Sequence, residues 1–155
     1  MFEPVGPGSL RLWRVARPGR LWALSAGAAR WSLDGDPMIY ASCSAALSVL
    51  EALAHLDRAD AARPHRLGTL EVSVRAGDVL MLAPSALPAR WKRRKTLTRG
   101  IGREWLSSGE STALLVPSAL VGGEMNALID AESPRWKQWL RRAQDTAYRF
   151  DPRVR

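Results

Sequence analysis

Hydrophobic and polar positions recur along this chain in short blocks whose period changes several times. Leu10-Arg11-Leu12-Trp13-Arg14-Val15 alternates apolar with polar residues, the period of a half-buried strand. Arg17-Pro18-Gly19 then breaks the pattern. After the turn residues Asp34-Gly35-Asp36-Pro37, the apolar run Met38-Ile39-Tyr40-Ala41 predicts a short buried strand. From Ala45 to Leu56 the period lengthens. Leu47, Leu50, Leu53, Ala54 and Leu56 recur at helical spacing, with Ser42 or Ser44 as the candidate N-cap. Arg63-Pro64-His65 reads as a linker, and Leu67 to Val74 alternates strongly as a strand. Two prolines between Ala83 and Pro88 make that stretch irregular.

The second half repeats the mixture. Thr98 to Ser108 predicts a helix that turns Ile101 and Trp105 inward and ends at Gly109. Ser111 to Val116 is almost wholly apolar, as expected of a strand buried on both faces, and Pro117 closes it. Gly122-Gly123 makes a turn, followed by a short strand at Asn126 to Ile129. Pro134 suits the first position of a helix running from Arg135 to Arg142, and Ala147 to Phe150 is a last strand candidate. Several short strands and about three helices, without repeats or low-complexity segments, predict an α+β class. At 155 residues the expectation is a single domain spanning 1–155.

Composition narrows the function classes. A hydrophobic fraction of 46% with 25% charged residues is that of a folded domain. No segment approaches the ~20 apolar residues of a membrane helix. The first ten residues, MFEPVGPGSL, lack the basic region and apolar run of a secretory signal, so the expected compartment is the cytoplasm. The single cysteine, Cys43, excludes an internal disulfide, and two scattered histidines, His55 and His65, give no metal-ligand spacing. A net charge of +8 suits nucleic acid, phosphorylated ligands or an acidic protein equally. The densest run, Arg90-Trp91-Lys92-Arg93-Arg94-Lys95, is either an anion-binding patch or a solvated loop anchored by its tryptophan. Arginines recur throughout the C-terminal region, which favours the solvated loop.

Four positions carry candidate chemistry. Glu51 falls within the apolar helix beside Leu50 and one turn from Leu47. It either reaches water at the edge of the stripe or is held by donors that offset its burial. Arg30, beside Trp31, can stack on an aromatic ring or clamp a phosphate. Tyr40 is either a core phenol or a ligand-facing one. Ser118 follows Val116-Pro117 at a strand end, where a serine caps a turn or displays a functional hydroxyl.

Taken together, these segments resemble the RES domain, a family named for a shared arginine, glutamate and serine. Leu12-Trp13-Arg14-Val15 is similar to its first strand. Gly27-Ala28-Ala29-Arg30-Trp31-Ser32 is similar to its arginine–tryptophan turn, Met38-Ile39-Tyr40-Ala41-Ser42 to its tyrosine strand, and Ala46 to Glu51 to its glutamate helix. Val116-Pro117-Ser118-Ala119 resembles the serine strand, Glu124-Met125-Asn126 the segment after it, and Phe150-Asp151-Pro152-Arg153 the C-terminal strand. Ser32 departs from the pattern, standing where the family usually has asparagine.

The resemblance implies an ADP-ribosyltransferase-like fold, with two small sheets and about three to five helices around an NAD⁺ cleft. It implies a toxin of a type II toxin–antitoxin pair that cleaves NAD⁺, by hydrolysis or with inorganic phosphate as co-substrate. It also implies neutralisation by a helix-turn-helix antitoxin covering the cleft. No cofactor or metal is expected, NAD⁺ being the substrate. On this reading Glu51, Arg30 and Ser118 are catalytic, while Tyr40, Arg14, Trp31 and Asn126 bind substrate. Nicotinamide leaves from a cationic pyridinium, so it needs no general acid, unlike the leaving oxygen of a glycoside. One carboxylate can stabilise the ribosyl cation, and arginine forks can hold the pyrophosphate. Tyr40 can stack on nicotinamide, Ser118 can orient Glu51, and Asn126 can read the carboxamide. A protein ADP-ribosyltransferase would use the same half-reaction. A non-enzymatic basic nucleic-acid-binding domain is a rival of another class, but no recognition helix or base-stacking platform supports it.

Overall fold

The structure, a computed structural model, describes residues 1–154. Its strands are β1 (Phe2–Pro4), β2 (Gly8–Ala16), β3 (Met38–Ser42), β4 (His65–Val74), β5 (Val79–Leu82), β6 (Ala113–Pro117), β7 (Met125–Asp130) and β8 (Gln144–Tyr148). Its helices are α1 (Ala45–Leu53), the single turn α2 (Arg58–Ala61), α3 (Lys95–Ser108) and α4 (Pro134–Leu140). All eight strands join one sheet in the order β1-β5-β6-β7-β3-β2-β4-β8, with β5 and β6 parallel and every other pair antiparallel.

The two small sheets implied by the resemblance are thus fused into one, but at a narrow seam. β2 runs in register with β4 from Gly8↔Val74 to Ala16↔Arg66, and β3 with β7 from Met38↔Asp130 to Ser42↔Asn126. Between β2 and β3 the only register pair is Trp13↔Ser42. A five-strand half and a three-strand half therefore meet at one point and diverge beyond it.

Side-chain alternation sorts the core into faces. Ile39, Ala41, Ala113, Leu115, Ala127 and Ile129 point to the face covered by α4 through Trp136 and Trp139. Met38, Leu114, Val116 and Leu128 point to the other, where α3 lays down Ile101 and Trp105. Trp13 pairs with Ser42, so Val15, two residues on, shares this second face; there it meets Val49, Ala52 and Leu53 of α1. Hence α1 and α3 lie on one side of the sheet, one over each half, with the seam between them.

Local signals explain most boundaries. Ser44, not Ser42, caps α1, accepting the N–H of Leu47. The helix ends at Leu53 rather than Leu56, because His55 and Leu56 donate to Ala52 and Leu53 in tighter turns. α3 starts at Lys95 rather than Thr98, continuing out of a short turn at Trp91–Arg93. It ends as expected at Gly109, in the left-handed region at φ 63°. The last strand lies at Gln144–Tyr148, while Phe150 turns in to pack its ring against His65. His65 is no linker residue; it is buried at the start of β4. Among the described residues no helix is long and apolar enough to cross a membrane.

Candidate active site

α1 leaves β3 directly and is aimed by its cap, where the Ser44 hydroxyl also donates to Glu124 at 3.5 Å. The outcome is that half-buried Glu51 meets the end of β6 and the start of β7. Asn126 Nδ2 donates to Glu51 Oε1 at 2.7 Å, and the Ser118 hydroxyl donates to the same oxygen at 3.3 Å. Ser118 itself accepts the N–H groups of Leu120 and Val121, both at 3.1 Å, so its one proton is directed at the carboxylate. Asn126 is held from behind by the Ser42 hydroxyl, which donates to Oδ1 at 2.8 Å. Both protein donors converge on Oε1. Among the described residues Oε2 carries no hydrogen bond, which leaves it for a ligand.

Two residues along β3 from Ser42, and on the same face, the Tyr40 hydroxyl lies 2.8 Å from the Ser32 hydroxyl and accepts the N–H of Trp31 at 3.3 Å. Burial pushes the Tyr40 phenol up, against the opposing pull of these hydrogen bonds, so it stays a neutral donor through the physiological range. The arginine–tryptophan turn is docked on α3 by its carbonyls. Arg99 Nε donates to the Ala29 carbonyl at 2.7 Å and the Thr98 hydroxyl to that of Arg30 at 2.6 Å. The carbonyl of Trp31 abuts Gly102, where an added Cβ would sit 2.0 Å from its oxygen. The Arg30 guanidinium donates to the Lys92 carbonyl at 2.7 Å and stands over the Trp91 ring at 5.9 Å. One of its five N–H groups is used in that bond.

Arg14 occupies the seam. Its guanidinium donates to the carbonyl of Tyr40, while its Nε is buried without a partner. Burial, and secondarily the charge of Arg20, lowers its pKa, and no carboxylate pairs with it among the described residues. A buried cation without a counter-ion is costly. A ligand anion would relieve it.

The structure therefore joins Glu51, Ser118 and Asn126 in direct contact, and links Tyr40 to the turn that carries Arg30. One expectation needs correction. Trp31 is 3% exposed and packs among Ile101, Trp105 and Trp91, so its ring is core and only its main chain touches a site residue. Asn126 accepts from Ser42 and donates to Glu51, which uses one of its two amide N–H groups and leaves the other. Ser32 keeps a hydroxyl bond to Tyr40 despite departing from the family pattern. In the basic run Trp91 is half-buried, while Lys92, Arg93, Arg94 and Lys95 are exposed, as either reading of the run requires. A shallow hollow is lined by Lys92 to Leu97 of this run, and hydrogen-bond geometry marks the site at Glu51. Sequence reasoning missed Ser42, Thr98, Arg99 and Gly102. Only for Ser42 was there a signal, a polar residue continuing the Met38–Tyr40 face of a buried strand.

Comparison with known families matches the RES domain across residues 11–151. The chain belongs to the RES-domain family. This RES domain is 31% identical over 128 residues to "Toxin Res" of Yersinia enterocolitica, covering 81% of this chain and 83% of the relative. It is 30% identical over 156 residues to "Prs ADP-ribosylating toxin" of a Sphingobium species, covering 92% and 94%. Its fold is similar to a chain of the M. tuberculosis MbcT–MbcA toxin–antitoxin crystal structure. The TM-score is 0.60 at 22% identity, over 97% of this chain and 89% of that one. The ADP-ribosyltransferase-like α+β fold of the RES domain is thereby shown, with its two halves fused through the Trp13↔Ser42 pair.

Proposed function

We propose that this RES domain is the toxin of a toxin–antitoxin pair and cleaves the nicotinamide–ribose bond of NAD⁺ in the cytoplasm, with water or inorganic phosphate as acceptor. The observation that carries this reading is the Glu51 carboxylate, gripped through Oε1 by Asn126 and Ser118 with Oε2 left for a ligand. The C–N bond breaks with its electron pair passing to the nicotinamide nitrogen, so the leaving group departs neutral and needs no proton. Glu51 faces the positive charge that grows on the ribose, and stabilises it most where water is excluded. The acceptor adds at the ribose carbon and releases one proton to solvent. Arg30 and Arg14 hold the pyrophosphate, Arg14 gaining the counter-ion its burial calls for. Tyr40, a neutral phenol, stacks on the nicotinamide.

The test is consumption of NAD⁺ by purified protein. Glu51→Gln keeps the shape and removes the charge, and is expected to lower kcat by about 100-fold or more. Arg30→Ala is expected mainly to raise KM. Parent-rate turnover by both variants would overturn the assignment. A second reading is favoured by one observation, the near full-length similarity to an ADP-ribosylating toxin. Labelled NAD⁺ separates the two: free ADP-ribose or its phosphate supports hydrolysis or phosphorolysis, and label on a lysate protein supports transfer. A helix-turn-helix antitoxin covering the cleft is the proposed partner. An acidic surface on it would be steered by the charge of +8.

A further inference from the structure

Glu51 is the one carboxylate of the proposed reaction, and it sits in the last turn of a nine-residue helix, a turn that holds no basic residue to pair with it. Something other than the helix must fix which of its oxygens meets the ligand. The chain Ser42–Asn126–Glu51 does so. We propose that Ser42 and Asn126 are positioning residues, locking the carboxylate by one oxygen so that Oε2 faces the reacting ribose. This rests on the reading of Glu51 given above, and assigns to Ser42 a role in it.

The direction of each hydrogen bond fixes the orientation of the carboxylate. An ionised carboxylate only accepts, so the amide must present its Nδ2 to Glu51, at 2.7 Å. The Oδ1 then faces Ser42, whose hydroxyl donates to it at 2.8 Å. Were the amide flipped, Oδ1 would oppose the carboxylate, oxygen against oxygen. Ser42 is 3% exposed, so water cannot replace its hydroxyl freely, and its place is fixed by the Trp13↔Ser42 pair at the seam. Asn126 is the direct register partner of Ser42, which puts the donor–acceptor pair side by side on adjacent strands. Ser118 supplies the second bond to Oε1 from an independent element, at the end of β6. Two donors on one oxygen restrain rotation of the carboxylate. One donor alone leaves it free to swing. The same chain ties the orientation of Glu51 to the point where the two halves of the sheet meet.

The experiment has a kinetic arm and a spectroscopic arm, on the full chain. In the first, Asn126→Ala should lower kcat for NAD⁺ by about 10- to 100-fold, as expected for losing a hydrogen bond to a charged group, with KM changed less than about threefold. Ser42→Ala, nearly isosteric, should lower kcat by a smaller factor of about 3 to 10, also without a KM change. In the second arm, the side-chain ¹H–¹⁵N signal of Asn126 is assigned by its loss in Asn126→Ala or, if that protein does not fold, in Asn126→Asp. One amide proton should lie downfield in the parent, and move back toward ordinary amide positions in Ser42→Ala and in Glu51→Gln. A raised KM at unchanged kcat would overturn the proposal, placing Asn126 on the substrate instead. An Asn126 signal indifferent to Ser42→Ala would overturn it too. If the parent leaves NAD⁺ intact, the reading of the activity fails, while the spectroscopic arm still decides whether Ser42 and Asn126 hold the carboxylate.

Discussion

Cys43, between β3 and α1, and Glu51, in the last turn of α1, have opposite surroundings. Glu51 is given donors; Cys43 is given apolar neighbours, packing against the cluster that contains Ile39, Ala41 and Ala127. Burial, and then the nearby carboxylate of Glu124, push the Cys43 thiol up to about 11. The thiolate is the reactive form, so raising the pKa removes reactivity at neutral pH and restores it as pH climbs. Alkylation by iodoacetamide at pH 7.5 should therefore run roughly 100-fold or more slower than that of an exposed cysteine. The rate should rise about tenfold per pH unit between pH 7.5 and 9.5, followed by mass spectrometry. Labelling at the rate of an ordinary thiol would mean that the residue is neither buried nor shifted.

At the level of elements, α3 is what places Arg30. Three successive carbonyls, of Ala29, Arg30 and Trp31, dock on Arg99, Thr98 and Gly102. Gly102 permits the closest approach, since a Cβ there would fall 2.0 Å from the Trp31 oxygen, against backbone that cannot swing aside. Gly102→Ala should destabilise the protein by about 1–3 kcal/mol in chemical denaturation, and raise KM for NAD⁺ as the turn shifts. Gly100 on the same helix meets nothing within 4 Å, so Gly100→Ala should stabilise by up to about 1 kcal/mol and leave KM alone. Equal effects at the two glycines would refute the docking argument. This contrast also marks what a sequence can tell. Ile101, Trp105 and the Gly109 stop were legible because burial of a helix stripe has a period, but two glycines two residues apart look alike until a neighbouring backbone distinguishes them. β1 and β5 went unread for a related reason. Phe2–Pro4 is too short to show a period and exists by pairing with Val79–Leu82, a partner distant in sequence. In the site, Glu51 was legible as a polar interruption of an apolar stripe. The Ser42–Asn126 bond was not, because it crosses between β3 and β7 and depends on their register.

For the molecule as a whole, the narrow seam divides stability from function at Arg14. The two halves share one register pair, and beyond it the Arg14 guanidinium bridges the gap to the Tyr40 carbonyl. The bridging hydrogen bond helps hold the halves together, whereas the charge does not, since burial opposes it and Arg20 repels it. A neutral donor should keep the first contribution and shed the second. Arg14→Gln is therefore expected to melt within a few degrees of the parent or above it in the absence of ligand. Its response to NAD⁺ should be very different. With Glu51→Gln as the non-consuming background, NAD⁺ at about 100 times its Kd stabilises by about 2.7 kcal/mol through linkage, a shift of roughly 5–10 °C in Tm for a domain of this size. Adding Arg14→Gln should abolish most of that shift, because the pyrophosphate then lacks the buried cation. A double variant that still gained the full shift would show that the anion is bound elsewhere. One that melted far below Glu51→Gln before any ligand was added would show that the charge itself holds the seam. The expected pattern, unchanged stability with lost binding, is that of a fold retaining an unfavourable buried charge because its substrate supplies the counter-ion.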